Sequence, residues 1–319
     1  MKKLLNVAAI LIFCIYFMGF GVRALAEEDA EYRIFFENDE YLLCYTDEGN
    51  CDPIFAAKSL SAVLERIYAL SPRAVIIFSD ISSAESIYLK SGEYEIRGEI
   101  EFVDGAGMTV DGAKIRICSA DVTMNTASIR IKRGSVEMHS GCIRSSAQNA
   151  ILLDYSSGAA LSVFGGKIIT SSDNSSIFVK HGTLTVSGGS IENFSGVAIY
   201  AQSTVVLSGA PRISGDDYGI DTGVPLTLSD GVSDFSGSVS VRFSEEFERG
   251  SISCIAYMAT EASLSGIQLF DIKGSLKELK YFSSYKGIDE TDFGAVYSPY
   301  TVEFKDNGRV IYSEYLLHG

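Results

Sequence analysis

Histidine is scarce in this chain, and no two cysteines are spaced as C-x-x-C. The 319 residues contain three histidines, His139, His181 and His318. Structural zinc sites are built from Cys and His ligands at short, fixed spacings. A zinc-dependent fold is therefore not expected, and no cofactor is predicted from the composition.

Basic residues are also under-represented. The chain has 26 Lys and Arg against 41 Asp and Glu, which gives a net charge of −15. Loss of the N-terminal leader described next removes Lys2, Lys3 and Arg23 and takes the charge to −18. Nucleic acids and anionic lipids are bound through an excess of Lys and Arg. Neither is expected as a partner, and no membrane association is predicted beyond the leader itself.

The N-terminus is typical of a secretory leader. Lys2 and Lys3 precede the apolar run Leu4–Val22, and Ala24-Leu25-Ala26 provides a small-residue cleavage site. Residues 1–26 are thus predicted to be a signal peptide that is cleaved after Ala26, which would make the protein secreted or extracellular. An uncleaved anchor is the alternative, because the run is nearly as long as the ~20 residues that span a bilayer.

Export would permit disulfides, and Cys44 and Cys51 flank a short polar run. A disulfide that closes this loop is one interpretation. Two unpaired thiols on neighbouring strands are the other.

Residues 27–72 are predicted to form an N-terminal cap that contains one amphipathic helix. Asp52 is a suitable N-cap with Pro53 after it, and Pro72 would end the helix. An apolar stripe at helical spacing lies between them: Leu60, Val63, Leu64, Ile67 and Leu70. One such stripe must pack on another apolar surface.

Residues 73–231 contain a repeat. Each copy is an apolar-x-apolar triplet, a turn with glycine, and then an isoleucine. The triplets are Met108–Val110, Val136–Met138, Leu161–Val163, Leu184–Val186, Val205–Leu207 and Leu226–Leu228. A second series lies between them: Ile151–Leu153, Ile177–Val179, Ile199–Ala201 and the pair Ile220-Asp221. Steps of 21 to 28 residues between copies leave room for three short strands and three turns, which is one coil of a solenoid.

The repeat predicts a mainly β fold, a right-handed parallel β-helix. Residues one and three of each triplet should point inward as aliphatic ladders, while the middle residue points outward. After Gly231 the repeat lapses, and residues 232–319 contain longer strand signals and the hairpin signal Asp306-Asn307-Gly308. We therefore expect a small antiparallel β module that caps the C-terminal end of the solenoid.

The run Gly182–Ile191 resembles the L-T-V-S-G-G-x-I repeat of secreted and surface proteins of Gram-positive bacteria. Those proteins belong to the pectate-lyase-like right-handed β-helix superfamily. The resemblance covers roughly residues 52–231 and implies the fold, with the helix as its N-terminal cap. Lyases of this superfamily hold calcium with outward Asp or Glu and use an Arg or Lys base. The superfamily also includes adhesins and inert stalks, so the resemblance implies no particular activity.

Two outward columns follow from these triplets. The first, Thr109, Glu137, Ser162, Thr185, Val206 and Thr227, offers one carboxylate and no base. The second contains Leu152, Phe178 and Tyr200 on successive rungs, followed by Asp221. An exposed aromatic ladder of this kind could stack on sugars, so these three residues are the candidate ligand-binding residues. The alternative is that a loop or the C-terminal module covers them.

One acidic cluster is a candidate metal site. Asp216, Asp217 and Asp221 lie near one turn, with Arg212 just before them, and three carboxylates could bind Ca²⁺. Solvated turn residues are the alternative interpretation.

The sequence favours a non-catalytic, secreted or surface β-helix that presents a binding surface for a polysaccharide or another cell-surface component. A polysaccharide lyase or glycoside hydrolase with its site near Asp216, Asp217, Asp221 and Arg212 is the second hypothesis. A purely structural surface spacer is the third.

Overall fold

The computed structural model describes residues 30–47, 50–146, 149–243, 254–257, 261–270, 276–277, 280–282, 294–296, 300–306 and 309–316. The predicted leader, residues 1–26, lies outside the described residues. The chain is mainly β and forms a β-solenoid of about eight turns.

The described chain begins with a three-stranded meander. Its strands are β1 (Ala30–Glu37), β2 (Glu40–Asp47) and β3 (Asn50–Ala57), paired antiparallel in chain order. Asn38 and Asp39 join β1 to β2 with φ angles of 54° and 63°. Asn and Asp tolerate this left-handed region, which two-residue hairpin turns require.

Helix α1 spans Leu60–Leu70 and follows the meander. The predicted start at Asp52 is wrong, because residues 50–57 form β3. Pro53 is accommodated because, among the described strands, β3 pairs with β2 alone and a register shift lies opposite Pro53. The actual N-cap is Ser59, whose hydroxyl accepts a hydrogen bond from the Ala62 amide. The helix does end before Pro72, and four of the five stripe residues are fully buried: Leu60, Val63, Leu64 and Ile67.

The solenoid is built from short strands that pair parallel with strands one coil away. In chain order they are β4 (Arg73–Ser83), β5 (Ile87–Leu89), β6 (Glu93–Phe102), β7 (Met108–Met124), β8 (Ile129–Met138), β9 (Gly141–Ser145), β10 (Ile151–Leu153), β11 (Ala159–Val163), β12 (Lys167–Thr170), β13 (Ser175–Val179), β14 (Thr183–Val186), β15 (Ser190–Asn193), β16 (Val197–Ala201), β17 (Thr204–Leu207), β18 (Arg212–Gly215), β19 (Ile220–Thr222), β20 (Leu226–Thr227) and β21 (Val239–Phe243).

Registered triplets in these strands form three parallel sheets. The first sheet stacks Ala74–Ile76, Tyr94–Ile96, Ile115–Ile117, Val136–Met138, Leu161–Val163, Leu184–Val186 and Val205–Leu207, followed by Leu226–Thr227 of the last predicted copy. The second stacks Ile87–Leu89, Met108–Val110, Ile129–Ile131, Ile151–Leu153, Ile177–Val179, Ile199–Ala201, Ile220–Thr222 and Val241–Phe243. The third stacks Ile81–Ser83, Ile100–Phe102, Val122–Met124, Ile143–Ser145, Ile168–Thr170, Ile191–Asn193 and Ile213–Gly215.

The predicted grouping of triplets is correct except for the first copy. Met108–Val110 pairs with Ile129–Ile131, so it belongs to the second sheet, and Ile115–Ile117 is the partner of Val136–Met138. Met108–Val110 and Ile115–Ile117 have the same apolar-x-apolar pattern, so a shift from one to the other is invisible in the residues themselves. With this correction the first sheet repeats every 20 to 25 residues from Ile76 to Leu207.

The inward positions build the core as predicted. Residues one and three of the triplets are buried throughout the first sheet, and most are aliphatic. The third sheet differs, since its inner third position becomes polar in Ser145, Thr170 and Asn193. Ser145 and Asn193 donate hydrogen bonds to backbone carbonyls, and the Thr170 hydroxyl bonds with that of Ser176. An aliphatic residue could make none of these bonds.

The parallel stack continues past the predicted boundary at Gly231. Strand β21 pairs parallel with β19 and with β23 (Ile267–Phe270), and β22 (Cys254–Tyr257) pairs parallel with β20. Helix α2 (Glu261–Ser265) lies between β22 and β23. Antiparallel pairing involves the last strands: β24 (Leu276–Lys277), β25 (Lys280–Phe282), β26 (Gly294–Val296), β27 (Tyr300–Asp306) and β28 (Arg309–Leu316). A capping role for this segment stays a prediction, as do the right hand of the coil and the capping role of α1.

Within the described residues, no helix has the length and apolar character needed to cross a membrane.

Candidate binding face

The candidate ligand-binding residues lie on the outer surface of the second sheet. Each is the middle residue of a registered triplet, so its side chain points away from the core. We call the six consecutive outward positions the ladder face: Tyr88, Thr109, Arg130, Leu152, Phe178 and Tyr200. At about 4.8 Å per rung the face is roughly 24 Å long.

The structure brings the three predicted residues together. The rings of Phe178 and Tyr200 have centroids 5.2 Å apart and an interplanar angle of 30°. Leu152 is registered beside Phe178 on the preceding rung. All three side chains keep intermediate exposure. The result is a half-exposed apolar strip with one polar edge, where the Tyr200 hydroxyl accepts a hydrogen bond from Gln202 Nε2 at 3.2 Å.

A charged pair follows this strip toward the C-terminus. Asp221 is registered beside both Tyr200 and Arg242, and Arg242 Nε lies 3.2 Å from Asp221 Oδ2. The Arg242 guanidinium carbon lies 4.7 Å from the centroid of the Tyr218 ring. Tyr218 also contacts Phe270, with centroids 5.4 Å apart. Sequence reasoning missed this group, although Arg242 follows Asp221 by one 21-residue step of the repeat.

The same geometry removes the basis of the predicted calcium site. Asp221 is 8% exposed, and its carboxylate is bonded by Arg242. Asp216 and Asp217 lie on an exposed turn, and Arg212 pairs with Glu192 at 3.8 Å. No three Asp, Glu, His or Cys side chains of the described residues are arranged to hold a metal ion. Calcium binding stays a prediction that this arrangement does not favour.

The N-terminal end of the ladder face is cationic, a feature that sequence reasoning also missed. The ammonium groups of Lys90 and Lys132 lie 5.7 and 5.5 Å from the centroid of the Tyr88 ring. The Tyr88 hydroxyl donates to Asp111 Oδ2 at 2.9 Å, and Arg133 Nε donates to Asp111 Oδ1 at 2.5 Å. The hydrogen bond from Arg133, followed by that from Tyr88, holds the pKa of Asp111 below its usual range.

A charged groove of about 350 Å³ lies on the first sheet. Its outward column contains Glu95, Arg116 and Glu137, so the predicted column with one carboxylate and no base is wrong for this part of the sheet. Arg116 lies 3.6 Å from Glu95 and 3.9 Å from Glu137. Glu93 pairs with Lys114, whose hydrogen bond lowers the pKa of the Glu93 carboxyl. The positive and negative charges of these side chains thus neutralise one another across successive coils.

The cysteines divide into two groups. Cys118 and Cys142 are unpaired thiols, and burial raises the pKa of each. Cys44 is buried and registered opposite Pro53, whereas Cys51 is registered opposite Thr46. The side chain of Cys51 lies outside the described residues, so the Cys44–Cys51 disulfide stays a prediction.

Comparison with protein-family models, with curated proteins and with solved structures gave no significant match. Function is therefore inferred from the chain's own residues.

Proposed function

We propose that this protein is a non-catalytic β-solenoid that binds carbohydrate on the ladder face. The observation that carries this proposal is the Phe178–Tyr200 pair, two adjoining rings held on the outside of a parallel sheet. Aromatic faces present a large apolar area with little conformational entropy to lose, because each side chain has few rotatable bonds. The apolar faces of sugar rings are complementary to such a surface.

The rigidity of the scaffold supports the same proposal. Phe178 and Tyr200 are flanked by fully buried residues: Ile177, Val179, Ile199 and Ala201. Hydrogen bonds of the parallel ladder fix the spacing of the two rings before any ligand arrives. A preorganised site avoids much of the ordering entropy that weakens binding.

The test is binding to an immobilised panel of neutral and anionic polysaccharides, with wild type compared with Phe178→Ala/Tyr200→Ala. We expect wild-type binding to at least one member and a loss of at least about tenfold in the variant. The matched control is Thr185→Ala/Val206→Ala, which truncates the outward residues of the next strands of the same two coils, on the first sheet.

Both variants should unfold in urea at similar concentrations, so that a loss of binding cannot be a loss of folding. Equal binding by wild type and the aromatic variant would remove the ladder face as the site. Absence of binding across the panel would leave the structural-spacer hypothesis in its place.

A second candidate is a polysaccharide-acting enzyme, and one observation favours it. Arg116 lies between Glu95 and Glu137 in the charged groove, which is a different place from the site proposed near Asp216. Product release from the same polysaccharide panel that Arg116→Ala abolishes would support this candidate. An unchanged panel after prolonged incubation would count against it.

We further propose that residues 1–26 direct secretion and that the protein acts outside the cell. Membership of the pectate-lyase-like superfamily is part of this proposal, supported by the run Gly182–Ile191. A capping role for helix α1 is supported by two contacts. Its buried stripe joins the same apolar core as the first coils, and the ring centroids of Tyr68 and Tyr94 are 5.1 Å apart.

A further inference from the structure

Charge is distributed unevenly over the solenoid. The six strand-and-turn segments that carry the ladder face are residues 86–91, 107–112, 128–133, 150–155, 176–181 and 198–203. They contain five cations and two carboxylates: Lys90, Arg130, Lys132, Arg133 and Lys180 against Asp111 and Asp154. The complete chain has a net charge of −15. The ladder face is thus a cationic strip on an anionic molecule.

The two carboxylates of the strip are already engaged. Asp111 accepts hydrogen bonds from Arg133 and Tyr88, and Asp154 lies 3.6 Å from Arg130. Lys90 and Lys132 converge on the ring of Tyr88 from coils on either side of Asp111. Two like charges drawn to one ring repel each other, and an anion placed between them would relieve that repulsion.

From this charge pattern we infer that the ladder face takes an anionic polysaccharide. The acidic groups of the polysaccharide lie at Lys90 and Lys132, and its sugar rings stack on Phe178 and Tyr200. The inference rests on the proposed function and adds the class of glycan. One chain can reach both ends, because Tyr88 and Tyr200 are five rungs, or roughly 24 Å, apart.

Ligand selectivity should follow from the same charges. The rest of the chain has a net negative charge and disfavours polyanions, so we expect an anionic glycan to bind along this strip and to be held in one orientation. Exposed ion pairs are screened by salt, whereas stacking on aromatic rings is not. Binding should therefore weaken as the salt concentration rises without disappearing.

The experiment compares three polymers with one glucose backbone: dextran, carboxymethyl-dextran and dextran sulfate. We expect both charged polymers to bind and dextran to bind at least about tenfold more weakly. Lys90→Gln/Lys132→Gln should weaken binding of the charged polymers about tenfold. The control Lys58→Gln/Lys167→Gln removes two exposed charges elsewhere and should leave binding unchanged.

The outcomes separate this inference from the proposed function. Binding of dextran equal to that of its charged derivatives, lost in Phe178→Ala/Tyr200→Ala but unchanged in Lys90→Gln/Lys132→Gln, overturns the anionic class and leaves carbohydrate binding in place. Binding that no aromatic variant affects overturns both. Equal binding of a DNA duplex, whose sugars offer no free stacking face, would replace the glycan by a general polyanion.

Discussion

Asn193 occupies an inner corner of the third sheet and is 3% exposed. Its Nδ2 donates to the carbonyls of Asn174 and Val197 at 2.8 and 2.9 Å, and its Oδ1 accepts from the amides of Ser172 and Ser195. Replacement by alanine removes all four hydrogen bonds from a corner where the side chain is almost fully buried. We expect Asn193→Ala to lower the free energy of unfolding by about 2–4 kcal/mol.

Urea denaturation measures this loss, with Ser195→Ala as the control. The Ser195 side chain is exposed, so its removal should change stability by less than about 0.5 kcal/mol. Equal stability of Asn193→Ala and wild type would show that the corner hydrogen bonds contribute nothing.

Also at the scale of the residue, the Asp230 carboxylate makes the stability of the fold depend on pH. Amides of Ser233 and Val232 donate to Oδ1 at 2.8 and 2.9 Å, and these bonds, with one from Ser208, lower the pKa of the Asp230 carboxyl. A lowered pKa in the folded state stabilises the fold above the unfolded value of about 4. That contribution is lost as the pH falls through the folded pKa.

Asp230→Asn should therefore be less stable than wild type at pH 7, and the difference should shrink below about pH 4. Urea denaturation at pH 7, 5 and 3 measures it. A difference that stays constant across this range would contradict the assigned role of the carboxylate.

At the scale of the element, two glycines with positive φ angles separate the cost of a left-handed backbone from the cost of a clash between neighbouring coils. Gly141 has a φ of +91°, and a Cβ there would lie 2.1 Å from the Ala120 carbonyl oxygen of the preceding coil. Gly231 has a φ of +83°, but nothing lies within 4 Å of a Cβ. Both substitutions by alanine impose the left-handed penalty of about 1–2 kcal/mol. Only Gly141→Ala also pushes two coils apart.

We expect Gly141→Ala to lower the free energy of unfolding by about 1–3 kcal/mol more than Gly231→Ala does, as measured by thermal or urea denaturation. Equal losses would mean that the coils are not stacked as closely as the ladder requires.

Element boundaries show where the sequence is informative. The stripe from Leu60 to Ile67 identifies helix α1, because its spacing has one physical explanation. The start of the helix could not be predicted from Asp52 and Pro53, because an Asp-Pro pair also fits a strand edge, where the missing amide hydrogen of proline breaks no hydrogen bond. Only the pairing of β3 with β2 distinguishes the two.

For the whole molecule, the repeat predicts a parallel solenoid with an aliphatic interior, and the structure confirms both. The assignment of triplets to sheets was harder to predict, because hydrogen bonding decides which triplets stack, and Met108–Val110 has the same pattern as Ile115–Ile117. The strip of Leu152, Phe178 and Tyr200 was predictable, because each member is the middle residue of an apolar triplet, at steps of 26 and 22 residues. The cations around Tyr88 were missed because Lys90 and Lys132 are two coils apart in sequence and meet only in the stack.

The central claim is that a glycan lies on Phe178 and Tyr200. The chain contains no tryptophan, so Tyr200→Trp introduces a single tryptophan, which can be excited selectively beside the tyrosines and keeps an aromatic ring at this rung. Titration with dextran sulfate should change its emission in a saturable way, while Val206→Trp, on the first sheet of the same coil, should not respond. Identical responses, or none from Tyr200→Trp when binding is detected by other means, would contradict the account.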